Sequence, residues 1–229
     1  MDLRSQVLRG GMYLAARQTA SIGIGLAGVI LLTRLIGPAN YGLAAGAVGI
    51  VAVMGRVGSF GIDAFLIRRE GKQRTEVYHQ AFSLLLVIGL ALVAAGYLLS
   101  PLLALWLGDR RFVSPLLAIL PVLPLFLIAI PATAQLEREL NYRALATWDL
   151  AGHLGYYAVA LPLAALDRGV WAPVAGYWTT QGVLLVRSYV LTGYRPRWYW
   201  SRPLLGEMLH YGVGFSASSW IWQLRALVN

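Results

Sequence analysis

Residues 82–105 read FSLLLVIGLALVAAGYLLSPLLAL, a run without a single charged side chain. A helix needs roughly 20 largely apolar residues to cross a bilayer, so this run is long enough for one span. Working outward, five runs of the same character stand at Met12–Ile36, Leu43–Ile67, Phe112–Gln135, Leu145–Leu166 and Val170–Leu191, and Gly212–Asn229 opens a seventh. The runs are continuously apolar and about twice the length of a barrel strand, which favours helices over a transmembrane β-barrel. The expected fold class is all-α, a polytopic transmembrane helix bundle. The Phe112–Gln135 run holds Pro115, Pro121, Pro124 and Pro131. Those prolines should kink it, and partner helices must then satisfy the carbonyls that lose their donors.

Composition agrees with the runs. Of 229 residues 58% are hydrophobic and 13% charged, against about 25% charged in soluble domains. Mean hydropathy is +0.63. Disorder is excluded because there is too much apolar surface to bury. The absence of cysteine excludes a disulfide scaffold, a thiolate metal site and a cysteine nucleophile.

The formal charge of +9 could point to nucleic acid or to an anionic cargo, so the positions of the charges decide. Thirteen basic residues belong to one side: Arg4, Arg9, Arg17, Arg68, Arg69, Lys72, Arg74, Arg138, Arg143, Arg187, Arg195, Arg197 and Arg202. Four fall on the other, Arg34, Arg110, Arg111 and Arg168. The positive-inside rule then places the N-terminus in the cytoplasm, and most of the charge reports orientation. No nucleic-acid partner is expected, because no basic face alternates with aromatics on a soluble module. The first run is too long for a signal-peptide core and more spans follow it, so it reads as a retained helix. The connection Thr192–Tyr211, TGYRPRWYWSRPLLGEMLHY, suits an interfacial anchor, with rings at headgroup level and cations among membrane lipid phosphates.

Several motif matches dissolve in this context. Gly23-Ile24-Gly25-Leu26-Ala27-Gly28 fits G-x-G-x-x-G, but a dinucleotide site needs a strand before it and a helix after it. Inside an apolar span such glycines let helices approach closely, as should Gly42, Gly46, Gly55, Gly58 and Gly61. His79, His153 and His210 have no ligand spacing, so neither a metal nor another cofactor is expected. Asp149 and His153 share a helix face and read as an interfacial hydrogen-bonded pair.

Charges within the spans are the informative ones, since an arginine at a helix centre costs about 2.5–3.5 kcal/mol on insertion scales. At about 1.5 Å per residue, Arg17 and Asp63 lie within roughly 8 Å of the same end of their spans and could form an ion pair or gate. Arg56 stands about 17 Å from that end, near the midplane, and Asp63 is about 10 Å further along the same span. Arg225 reaches a similar depth, counted from Gly212. The other acidic residues (Asp2, Glu70, Glu76, Asp109, Glu137, Glu139, Asp149, Asp167 and Glu207) lie at span ends or in connections. The anion facing Arg56 and Arg225 must therefore come from further protein, from water in a cavity or from a ligand. A guanidinium fork suits the oxygens of a diphosphate.

These residues carry a family resemblance. GGMYLAARQTASIGIGLAGVILLTRLIGPANYGLAA and GRVGSFGIDAFLIRRE resemble the opening of bacterial polysaccharide or O-antigen flippases, within the multidrug/oligosaccharidyl-lipid/polysaccharide exporter superfamily. The specific pieces are Thr33-Arg34-Leu35-Ile36-Gly37-Pro38 with Tyr41-Gly42, and the Gly61-Ile62-Asp63 turn before a basic loop. Leu136–Tyr142 resembles the loop after the fourth helix, and Tyr211–Phe215 the start of the seventh. The resemblance implies one six-helix lobe (residues 1–191) of a two-lobe exporter fold, an interfacial linker (192–211) and part of a seventh helix (212–229). It implies a transporter, not an enzyme, that moves polyprenyl-diphosphate-linked oligosaccharide across the bacterial inner membrane for surface polysaccharide or lipopolysaccharide synthesis, the lobes rocking about a cationic cavity. Arg17 and Arg56 are carried over as candidate diphosphate ligands, while Arg225 rests on depth alone. A missing C-terminal lobe or a second chain is expected to be required, the chain being a fragment of a longer protein. The alternatives are a multidrug exporter of the same superfamily, a non-transporting membrane protein and an integral membrane glycan enzyme.

Overall fold

The structure, a computed structural model, describes Thr19 and residues 22–69, 75–107, 110–138 and 142–228; side chains are not described at 142–149, at 216–228 and at some positions between 103 and 110. Every regular element among these residues is helical: α1 (Ile22–Ile36), α2 (Pro38–Ser59), α3 (Ile62–Arg68), α4 (Thr75–Leu107), a short 3₁₀ turn (Arg110–Phe112), α5 (Val113–Ile119), α6 (Val122–Arg138), α7 (Tyr142–Ala165), α8 (Trp171–Thr192) and α9 (Arg202–Val228). The fold is the expected all-α polytopic bundle. Pro38–Ser59, Thr75–Leu102 and Val113–Arg138 are long and apolar enough to cross a membrane. Large apolar side chains also cover the outside of the bundle, among them Leu90 (55% exposed), Leu98 (79%) and Leu102 (61%) on α4. A soluble surface does not carry a face of that kind, whereas lipid tails cover it.

The connections follow from their residues. Gly37 takes φ +80°, Pro38 occupies the start of α2, and the Asn40 amide donates to the Ile36 carbonyl at 2.8 Å. A one-residue hairpin between two spans needs that combination of a glycine with positive φ and a proline at the first helical position. The turn between α7 and α8 lies beside it, Gly169 packing near Asn40. Arg34 and Arg168 therefore belong to one end of the bundle. At the other end Arg138 donates to the Leu66 and Arg69 carbonyls at 3.4 and 2.7 Å. Among the described residues, Arg34 and Arg168 thus lie at the end of the bundle opposite Arg69 and Arg138.

Three clusters hold the helices together. Ile62, Phe65, Leu85, Leu127, Ile130 and Met208 join α3, α4, α6 and α9. Val51, Phe112, Leu116, Leu120, Leu123 and Val174 join α2, α5, α6 and α8. Leu32, Ile36, Ala160, Ala164 and Ala172 join α1, α7 and α8.

The proline-rich run behaves as its chemistry requires. The helix is interrupted at Leu120–Pro121, between α5 and α6. Pro121 cannot donate to Leu117, and the Tyr97 hydroxyl does so instead at 3.0 Å. The next carbonyl, Ala118, accepts from the Trp178 indole at 2.8 Å. Beside Pro131, the Ile128 carbonyl accepts from the Tyr189 hydroxyl at 2.7 Å. Tyr97 on α4 thus replaces the donor that Pro121 removes, and α8 adds two donors to carbonyls beside the prolines.

The glycine pattern in α1 has a packing role at one position. A Cβ on Gly28 would overlap the Tyr157 ring, and the Tyr157 hydroxyl donates to the Gly25 carbonyl at 3.0 Å. Gly23 and Gly25 face open space, and so does Gly42, whereas Gly46, Gly55 and Gly58 pack against Phe112, Phe126 and Leu92. We expect Gly28→Leu to lower the stability of the detergent-solubilised protein by about 1–3 kcal/mol, the usual cost of overpacking. Gly23→Leu should leave its thermal unfolding unchanged.

Candidate functional site at a broken helix

The expected second span, Leu43–Ile67, is corrected by the structure in two ways. It begins earlier, at Pro38, and it is two helices rather than one. Phe60 (φ 49°, ψ 31°) and Gly61 (φ 69°, ψ 12°) are both left-handed and separate α2 from α3. Arg56 and Asp63 therefore do not share a continuous helix face. Each stands in the turn flanking the break, Arg56 in the last turn of α2 and Asp63 in the first turn of α3.

A bulky residue in the left-handed region costs about 1–2 kcal/mol and persists only where the surroundings hold it. Here α9 holds it. Gly212 lies directly on the Phe60 carbonyl and ring, and a Cβ on Gly61 would stand 2.7 Å from the Phe215 ring. Phe65 meets Tyr211 edge-on at 5.5 Å between centroids, and Tyr211 stacks on Phe215 at 6.2 Å. Further along, Arg69 pairs with Glu207 at 3.0 Å and lies over the Phe65 ring. Both partners of that ion pair are about a third or more exposed, so it aligns the helices more than it stabilises them.

The break also settles the electrostatics of both candidate charges. Arg56 sits where the partial negative charge of the α2 C-terminus offsets part of its desolvation. Its carbonyl accepts from the Ser59 hydroxyl at 2.9 Å, and among the described residues no carboxylate pairs with it. The side chain is exposed, on a face of α2 that also presents Gly42, Ala45, Gly49, Ala52 and Val53. Val57 is exposed beside Arg56 as well, so the stripe is built of glycine, alanine and valine, where the outer face of α4 is rich in leucine. Asp63 faces the partial positive charge at the start of α3. One carboxylate oxygen, Oδ1, is buried and has no hydrogen-bond partner among the described residues. Glu137 on α6 is close enough for the two carboxylates to repel.

The other candidates stand as follows. Arg17 lies outside the described residues, and with it the expected Arg17–Asp63 pair. Arg225 belongs to α9, but its side chain lies outside those described, as does that of Asp149. The α9 helix starts at Arg202, so the second half of the expected 192–211 linker is helical and the seventh helix begins ten residues before Gly212. Sequence reading missed Phe60, Gly212, Phe215 and the Arg69–Glu207 pair. The clustering of Gly58, Ser59 and Gly61 inside an apolar run was the available signal for the break.

Comparison with known proteins adds a family context. Residues 31–226 match the family described as polysaccharide biosynthesis protein. The succinoglycan biosynthesis transport protein ExoT of Rhizobium meliloti (strain 1021) is 25% identical over 201 residues, covering 88% of this chain and 40% of that protein. The lipopolysaccharide biosynthesis protein WzxC of Escherichia coli (strain K12) is 26% identical over 229 residues, covering 96% and 45%. The chain spans less than half the length of either relative. No solved structure matches it.

Substitution at the clamp tests the geometry of the break. Gly212→Val should lower thermal stability by about 1–3 kcal/mol, because the added methyls meet the Phe60 carbonyl. Gly214→Val, on the same helix with open space around it, should shift the melting temperature little.

Proposed function

The chain belongs to the polysaccharide biosynthesis protein family, and from that premise we propose that it is the N-terminal part of a flippase for polyprenyl-diphosphate-linked oligosaccharide. The relatives' names, a transport protein for succinoglycan and a lipopolysaccharide biosynthesis protein, support the cargo class. One observation carries the assignment of the site. Arg56 is an exposed guanidinium at the end of a half-helix inside an apolar span, on a face of glycine, alanine and valine. Lipid tails are a poor environment for the charge. A water-filled cavity between two lobes suits it, and a diphosphate entering that cavity would meet the bidentate fork. Arg17 and Arg225 are the further arginines proposed to serve the cavity.

In this reading Asp63 sits across the break as the gating residue. The joint at Phe60–Gly61 lets α2, which carries Arg56, change direction relative to α3, which is tied to α6 and α9. Broken helices of this kind place charged side chains and free helix ends at binding depth in transporters. The rest of the transporter comes from a second lobe, the N-terminus lies in the cytoplasm, and the membrane is the bacterial inner membrane.

Export of surface polysaccharide by the full-length protein provides the test. Arg56→Ala should abolish export, and Arg56→Lys should restore only part of it because the ammonium cannot reproduce the fork. Normal surface polysaccharide from the Arg56→Ala protein at wild-type abundance would overturn the assignment. Competition by organic cations would favour a drug-exporting relative instead.

A further inference from the structure

A second cationic site lies away from the helix break. A cavity of about 420 Å³ opens where the start of α4, the end of α6 and the extended segment 193–201 meet. Arg195, Arg197, His79, Thr75, Tyr194 and Gln135 face it, and no carboxylate is among the described side chains that line it. The cavity of about 500 Å³ beside the α7–α8 turn makes a contrast, since apolar residues and the single cation Arg168 line it. The first cavity, which Tyr78 also lines, thus gathers two guanidinia, three hydroxyls, an imidazole and an amide, a donor-rich set suited to a group with several anionic oxygens.

The segment that presents the arginines is not helical, yet it is fixed. The Tyr199 N–H donates to the Ser83 hydroxyl at 2.9 Å and the Ser201 N–H to the Gln80 amide oxygen at 2.6 Å. Both acceptors are fully buried on α4. The Tyr194 ring is buried against Tyr78, His79 and Tyr189, and its hydroxyl is hydrogen-bonded to His79 Nδ1 at 3.1 Å. Burial, reinforced by Tyr189, pushes the Tyr194 hydroxyl well above its ordinary pKa, so it stays a neutral donor. A backbone held at both ends presents Arg195 and Arg197 with less entropy left to lose on binding.

The same segment marks the depth of the cavity. Trp198 and Trp200 are stacked at 6.1 Å and remain 63% and 45% exposed. Exposed indoles on a membrane protein belong to the headgroup layer. They flank the cationic cavity by one to three residues, which sets it at the level where lipid phosphates lie.

We infer that this cavity is a binding site for the phosphate group of a lipid headgroup, separate from the Arg56 site. Arg195 and Arg197 hold the phosphate oxygens, Thr75 and Gln135 complete the shell, and the two tryptophans seat the rim in the interface. The lipid is either an anionic phospholipid of the membrane or a polyprenyl diphosphate.

The test uses the full-length protein in detergent, titrated by calorimetry with four probes: dioctanoyl phosphatidylglycerol, farnesyl diphosphate, inorganic phosphate and dioctanoylglycerol. Binding of either phosphate-bearing lipid, and not of dioctanoylglycerol, is expected. Arg195→Ala/Arg197→Ala should weaken it about tenfold or more, as loss of charge-assisted hydrogen bonds implies. Arg202→Ala, at the start of α9 and outside the cavity, should bind as wild type. Stronger binding of phosphatidylglycerol identifies membrane lipid as the source, and stronger binding of farnesyl diphosphate a polyprenyl carrier. Binding of inorganic phosphate alone would overturn the headgroup assignment, and so would wild-type affinity in the double variant. Should that variant fail to fold, Arg195→Lys/Arg197→Lys keeps the charge, and unchanged affinity there would contradict bidentate recognition. Phosphatidylglycerol binding should persist in Arg56→Ala protein, and the farnesyl diphosphate titrations are compared in that background so that the proposed Arg56 site does not contribute, which separates the inference from the export reading.

Discussion

A bilayer offers no water to a stranded backbone carbonyl, and the architecture of this chain depends on meeting that constraint within the protein. Helices satisfy it by default. Where prolines interrupt the α5–α6 run, the Tyr97 and Tyr189 hydroxyls and the Trp178 indole donate to Leu117, Ile128 and Ala118. Each of these side chains comes from α4 or α8, so repairing the backbone also fixes which helices neighbour the kinked one. The polar tips of three large aromatics do the work that intrahelical N–H groups do elsewhere.

The break at Phe60–Gly61 answers the same constraint differently. There the chain reverses its helical sense for two residues, and the strain is held by close contact with α9, through Gly212 on one side and Phe215 on the other. A broken helix leaves charged helix ends inside the span. Arg56 and Asp63 stand at those ends with the sign each end favours. The fold thereby tolerates two charges where an unbroken helix would have carried them at full cost.

Much of this was legible in the sequence for identifiable reasons. The end of the first span at Ile36 shows because Gly37-Pro38 can hardly be anything but a turn, and Asp167–Gly169 and Gly193 mark further ends in the same way. The need for donors beside the prolines follows from their missing N–H groups, although which aromatics answer depends on tertiary packing. Hydropathy hid the break, because it does not distinguish a left-handed phenylalanine from a helical one, and only the family resemblance carried a turn at Gly61-Ile62-Asp63. The early start of α9 was hidden for the opposite reason. Arg202–Tyr211 is too polar to count as a span, yet Met208 is fully buried and Glu207 reaches Arg69. Arg56 stood out from the start because a charge in an apolar run needs no tertiary information to be conspicuous. That it is exposed beside a joint, only the structure shows.

The central claim is that Arg56 faces water rather than lipid. This chain has no cysteine, and with any cysteine of the remaining protein replaced, a single introduced thiol reports its own surroundings. Arg56→Cys and Leu98→Cys in the full-length protein, labelled in native membranes with a small polar maleimide, compare the two faces directly. Rapid labelling at position 56 with little at position 98 is the predicted result. Equal and slow labelling at both would place Arg56 against lipid and contradict the account.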